Sequence, residues 1–204
     1  MAAITVANIM AHAIAHIKGP STYASSEEVR FANTVQSIIS GFHRWHWNIT
    51  AATNIAVAST NQDLSMAAGN QNLVLAIQQA NLLEGSTEQP DLWVYSDPLL
   101  PKTSTTGQPF AISLLSPTQV RLYPAADATY TLQWRYYARP VIMTANTETF
   151  TIPEAFTDVA KAGMKWVVGA YADDDRAPKW EEEFFALLKN HKAIELRTIG
   201  RNRV

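Results

Sequence analysis

The residues able to do chemistry in this 204-residue chain are few, and each has a competing packing role. His12 and His16 lie four apart, which places both imidazoles on one helical face, a spacing that can hold a metal. The metalloprotease pattern needs Glu at position 13, where this chain has Ala13. A packing role for the pair is therefore preferred, and no metal, cofactor or catalytic residue is expected. The run Phe42-His43-Arg44-Trp45-His46-Trp47 is the densest local cluster. Aromatics beside Arg can stack on bases or sugars. The same residues at a helix end also suit packing where helices meet a sheet, since aromatics dominate cores, and that reading is preferred. Asp173, Asp174 and Asp175 could ligate a hard cation, but the Gly and the distant Glu of a calcium loop are missing. A solvated, helix-capping turn is expected there. Glu181-Glu182-Glu183 read as part of a solvated helix face. Arg197, Arg201 and Arg203 close the chain; they read either as a frayed end or as contacts to phosphates or to a partner's acidic surface.

Composition narrows the function classes. Sixteen Lys and Arg against 18 Asp and Glu give a net charge of −2, without the basic excess of a free-standing DNA binder. There is no cysteine, so thiol nucleophiles, disulfides and thiolate metal sites are excluded. No GxSxG, HExxH or glycine-rich phosphate loop occurs. Hydrophobic residues at 47% and charged residues at 17% suffice for a real core. The apolar N-terminus lacks a basic region and is broken by Thr5, Asn8, His12 and His16, which predicts an amphipathic helix and no secretory signal. No stretch reaches the roughly 20 apolar residues of a membrane span.

Helical signals sit at both ends. Ile4, Ala7, Ala11, Ile14 and Ile17 predict a first helix, closed by Gly19-Pro20. Ser25 through Glu28 reads as a capping box, followed by the stripe Val29, Ala32, Val35, Ile39 and Phe42 to about Trp45. A second box, Thr151 to Glu154, precedes Phe156, Val159, Ala160, Gly163, Trp166, Val167, Ala170 and Tyr171. Trp180, Phe184, Leu187, Leu188 and His191 mark a last helix. The middle alternates. Tyr130, Leu132, Trp134 and Tyr136 face one way, with Thr131, Gln133 and Arg135 opposite. Weaker strands are read at 48–52, 54–59, 73–78, 92–96, 110–115 and 119–123. Segments 85–90 and 98–109 are read as loops. The fold class expected is α+β: a helical bundle of 1–46 and 150–204, with an antiparallel β-sandwich or barrel-like domain inserted at 47–149.

The order of several motifs is then informative. Gly107-Gln-Pro-Phe110, Gln119-Val-Arg-Leu-Tyr-Pro124, Tyr130-Thr-Leu-Gln-Trp-Arg-Tyr-Tyr-Ala-Arg-Pro140 and Thr151-Ile-Pro-Glu-Ala-Phe156 follow one another. Asp175, Arg176, Trp180, Glu181 and Phe184 close the series. Together they resemble the head-to-tail connector, or adaptor, proteins of tailed bacteriophages. Residues 50–89 carry no part of the likeness. The resemblance implies a virion protein at the neck, made in the host cytoplasm. It implies a homo-oligomeric ring, commonly of twelve subunits, between the portal protein and a tail or neck protein. Genomic DNA would cross its channel without sequence-specific binding, and no membrane is involved. A near-neutral subunit suits such a lumen, because a strongly basic one would hold phosphates. In that setting Arg197, Arg201 and Arg203 are the residues expected to meet the portal or another partner. The alternatives are a tail tubular or neck protein one layer further down, a carbohydrate-binding module with Trp93, Trp134 and Tyr136 exposed on one sheet face, and a cell-wall hydrolase needing paired carboxylates in a cleft.

Overall fold

In the computed structural model, which describes residues 5–66, 74–95 and 100–201 and no side chain beyond Thr198, the chain is mixed α+β. It divides into two compact units: Met1–Trp47 with Pro140–Val204, and Asn48–Arg139.

The first unit holds helices α1 (Val6–Ile14), α2 (Ser25–Phe42), α3 (Thr157–Tyr171) and α4 (Ala177–Arg201). The buried face of α1 is Val6, Ile9, Met10 and Ala13, while Ala7 and Ala11 are exposed. The stripe expected from Ala7, Ala11, Ile14 and Ile17 is thus rotated, and Ile4 lies outside the described residues. The helix is apolar nearly all round, so periodicity alone did not set its phase. Its first amides find partners: Val6 N–H donates to the Glu148 carbonyl at 3.0 Å, Ala7 N–H to that of Asn146 at 3.0 Å, and Asn8 N–H to Thr5 Oγ1 at 3.3 Å. Those are the donors a helix start leaves unsatisfied.

Helix α2 buries Val29, Ala32, Val35 and Ile39 as expected, with Phe42 half-buried. Its cap sits one residue earlier than Ser25. Ala24 occupies the N-cap, and its N–H donates to Glu27 Oε2 at 3.3 Å, so only the returning half of the box forms. Two amides on this helix pin the segment 141–151. Asn33 donates from Nδ2 to the Met143 carbonyl and accepts from Met143 N–H, both at 2.9 Å. Buried Gln36 donates to the Val141 carbonyl at 2.9 Å and accepts from Thr151 N–H at 2.7 Å. The box expected at Thr151 is therefore absent: that amide is already used, a 3₁₀ turn covers Glu154–Phe156, and α3 starts at Thr157.

Gly163 is where three helices meet. A Cβ there would lie 2.8 Å from Val35 Cγ1 on α2 and 2.8 Å from Phe184 Cε2 on α4. Met164, Val168, Phe184 and Leu188 complete this core with no exposure. Trp166 and Val167 are only half-buried, and Ala170 and Tyr171 are exposed, so the expected stripe on α3 is too wide.

The second unit is built on β11 (Tyr130–Ala138), whose Tyr130, Leu132, Trp134 and Tyr136 are all buried. It pairs antiparallel with β1 (Ile49–Ala51), β2 (Ile55–Val57) and the long β4 (Val74–Glu84). β4 turns at Gly85, φ 63°, into β5 (Thr87–Glu88), which falls inside an expected loop. A four-stranded sheet runs in the order β3 (Asp63–Ser65), β9 (Gln119–Tyr123), β8 (Ala111–Ser116), β6 (Trp93–Tyr95). Here the expectation of a purely antiparallel domain fails. β6 runs parallel to β8, and β10 (Ala125–Ala126) parallel to β7 (Thr106–Gly107). The connection 96–110 supplies the dozen or more residues that a parallel crossover needs. Val57, Leu82, Ile112, Val120, Leu122 and Leu132 fill the unit's interior without exposure.

Candidate functional site

The residues singled out in the sequence do not gather into one reactive centre. His12 and His16 do meet, with ring centroids 4.5 Å apart and the rings tilted by 44°, and His16 Nδ1 lies 2.7 Å from the His12 carbonyl. Burial holds the His12 pKa below its ordinary value, helped by His16, Lys161 and Lys165. Among the described residues no three His, Asp or Glu side chains converge as a ligand set, and no helix is long and apolar enough to cross a membrane.

The Phe42–Trp47 cluster is structural. Trp45 has no exposure, and its Nε1–H donates to the Ile39 carbonyl at 2.6 Å, satisfying a carbonyl in the last turn of α2. Trp47 and Phe156 pack on it at centroid distances of 6.4 and 5.0 Å. Trp45 is thus closed to a stacking ligand. His43 and His46 instead hold α4: Glu195 accepts from the His46 N–H, and its Oε2 lies 3.3 Å from His43 Nε2. Burial lowers the His43 pKa against the raising effect of Glu195.

Asp174 overturns the solvated-turn expectation. Its side chain has no exposed area. One oxygen accepts from Lys18 N–H at 2.6 Å and Arg176 Nη2 at 2.7 Å, the other from Arg176 N–H and Nε at 3.0 and 2.9 Å. The Arg176 guanidinium first, and the Lys18 amide next, hold its carboxyl well below the usual carboxylate range. Four donors on one carboxylate tie the α1–α2 loop to the α3–α4 turn, which is anchoring work. Only the neighbours Asp173 and Asp175 are solvated.

In the β unit Trp134 and Tyr136 are buried at 4% and 3%, which removes two of the three rings required of a sugar platform. Trp93 is 68% exposed and Phe110 51%. The sequence reading missed Phe110 and Tyr123 as its companions, although Phe110 stands just after Pro109 where a strand enters from a loop. Trp93 meets Phe110 at 81° and Phe110 meets Tyr123 at 88°. Rings set edge to face offer no common plane to a sugar, but they make a compact apolar knob suited to a protein partner. A cleft of about 330 Å³ lined by Asn54, Gln79, Asn81, Glu88, Gln133 and Arg135 lies in the same unit. Its carboxylate is committed, since Glu88 Oε1 accepts from Asn81 Nδ2 at 2.6 Å, and Glu88 is exposed, outside the apolar setting that a general acid needs.

The arginine end takes a definite form. α4 is 25 residues long and continues through Arg201, so Arg197 stands exposed on a helix. The side chain of Arg201 and all of Arg203 lie outside the described residues. Ile194 and Leu196 beside Arg197 are 60% and 52% exposed. Toward the other end of α4, Pro178, Glu181, Glu182, Ala186 and Lys189 stand on one exposed face of the helix, beside half-buried Phe185. Of the three consecutive glutamates, Glu183 is paired with Lys165 at 3.0 Å, and Glu181 and Glu182 stand exposed.

A family model described as SU10 adaptor protein matches residues 4–204. No curated protein matches the chain.

Proposed function

The chain belongs to the SU10 adaptor protein family, a family of structural phage adaptors, and on that premise we propose that it is a head-to-tail connector subunit. It forms a ring of about twelve copies, held at the neck between the portal protein and a tail or neck protein, with DNA passing through the channel. The unit of residues 1–47 and 140–204, wider at 140–149 than the boundary at 150 expected from the sequence, acts as a helical bundle that builds the ring, and 48–139 is its inserted β domain. No residue does chemistry. The family match across 4–204 carries this reading. The balanced charge supports it, because a −2 subunit leaves a lumen through which phosphates slide. The described end of α4, with Arg197 exposed, reaches a protein partner and not DNA. Arg201 and Arg203 extend the same role.

The test is the mass of the purified protein, alone and mixed with a portal ring. The expected result is a defined multimer that joins the portal. A chain that stays monomeric in both conditions would refute it. Placement one layer further down the tail predicts the same multimer without affinity for the portal.

A further inference from the structure

We propose that the end of α4, residues 189–201, is a latch that opens as a unit while the core stays folded, that Glu195 keeps it closed, and that acid loosens it. This motion lies inside one subunit and does not depend on the ring.

The packing of α4 divides the helix in two. Its first half enters the interior through buried Trp180, Phe184 and Leu188. After Leu188 no described apolar side chain of the helix joins the core, and Ile194 and Leu196 are exposed. Two residues four apart, and therefore on one face, attach what remains: His191 and Glu195. The His191 ring lies on Phe156 at a centroid distance of 4.4 Å, and its Nε2 stands 3.4 Å from Asp158 Oδ1 at the start of α3. Glu195 accepts from the His46 N–H and sets its Oε2 3.3 Å from His43 Nε2. A segment held by a few polar contacts, without apolar burial, opens at a lower free energy than the core it leaves.

The contact at Glu195 is internally opposed. Its Oε2 is buried and, among the described residues, receives no hydrogen bond. That is costly unless a charge stands opposite. His43 meets the need only as a cation, and burial disfavours the cation. Glu195 on α4 favours the proton on His43, and Lys192 on the same helix opposes it. Arg44 and His46 flank the ring in the chain, and its edge-on neighbour Trp45, at 5.0 Å, carries no charge. Burial prevails, so His43 holds its proton less readily with the latch closed than with the ring in water. The open state therefore binds more protons below the ordinary value of 6.5, and acid favours opening.

The test is hydrogen exchange, read by mass spectrometry on the purified full chain, with rates corrected for the intrinsic chemistry at each pH. Amides of residues 189–201 should open together, at least about tenfold more often than those of 180–188. Glu195→Ala should raise the opening of 189–201 about another tenfold and leave 180–188 unchanged, because it removes a charged acceptor. Lowering the pH from about 7.5 to about 5.5 should raise the opening of this segment alone, and His43→Gln should abolish that dependence. Protection that falls smoothly toward residue 201 and ignores Glu195→Ala is ordinary fraying and overturns the latch. Acceleration of all of α4 alike in Glu195→Ala does so too, since the end then belongs to the cooperative core. If acid slows the opening, or if its effect survives His43→Gln and vanishes in His191→Gln, the keeper is misassigned and the proposal is wrong. The wild-type pH series decides by itself where a variant fails to fold.

Discussion

Adding one methyl group at Gly163 tests the packing of the helical unit directly. Alanine normally gains about 0.8–1.0 kcal/mol over glycine in a helix interior. At this position the new Cβ would stand 2.8 Å from Val35 and 2.8 Å from Phe184, contacts that real Cβ atoms do not tolerate. Val35 and Phe184 are both fully buried and sit on different helices, so no single side-chain movement relieves both. Overpacking of this kind costs about 1–3 kcal/mol. The net expectation for Gly163→Ala is a loss of about 1 kcal/mol, or roughly 2–4 °C in Tm for a chain of this size. Gly41, in the last turn of α2 with nothing within 4 Å of its Cβ position, provides the control. Gly41→Ala should stabilise by about 0.5 kcal/mol. The assay is urea unfolding followed by circular dichroism, with the slope m unchanged. Val35→Ala should lessen the cost of Gly163→Ala without abolishing it, because it vacates one of the two clashing positions and leaves Phe184 in place. If Gly163→Ala stabilises as Gly41→Ala does, the three helices do not meet as described.

Trp166 packs on Phe184 and Phe185 at 5.5 and 5.6 Å but is only half-buried, so Trp166→Ala should cost about 1–3 kcal/mol, less than a fully buried tryptophan would; denaturant midpoints decide. The Asp174 carboxyl is depressed in the folded state, so its contribution is present above the unfolded value of 3.8 and lost as pH falls through the folded value. Stability measured below pH about 4 should therefore fall more steeply in the wild type than in Asp174→Asn, which should be the less stable protein at neutral pH. His43 is held below its ordinary 6.5, so the neutral ring contributes stability above that pH and loses it on acidification; His43→Gln should flatten the decline just below 6.5 in a pH series of melts. Deleting residues 196–204 spares Glu195 and should change subunit stability by less than about 0.5 kcal/mol while weakening attachment to the portal in a binding assay. Glu195→Ala, which removes the partner of His43 and of the His46 amide, should cost about 1–2 kcal/mol in the same melts.

What the sequence by itself determined is local. Tyr130, Leu132, Trp134 and Tyr136 alternate without interruption, and a period of two leaves only one way to bury such a strand, so β11 was readable residue by residue. Val29, Ala32, Val35 and Ile39 did the same for α2, because polar residues between them mark the other face. The exposed position of Arg197 followed from its place beyond the last apolar stripe. Tertiary structure decided what depends on a neighbour. α1 is rich in alanine all round, and only packing and the 146–148 strap chose which face went inward. Asp174 looks like one of three solvated acids until Lys18, 156 residues away, supplies the amide that fixes it. The helix starts moved because Gln36 had already taken the amide of Thr151 and Ala24 had taken the N-cap from Ser25. The direction of β6 and the depth of Trp166 are likewise properties of which elements meet. The acidic run Glu181-Glu182-Glu183 was plain in the chain, but only the packed helix turns Glu183 to Lys165 and half-buries Phe185 against Phe42 and Trp166.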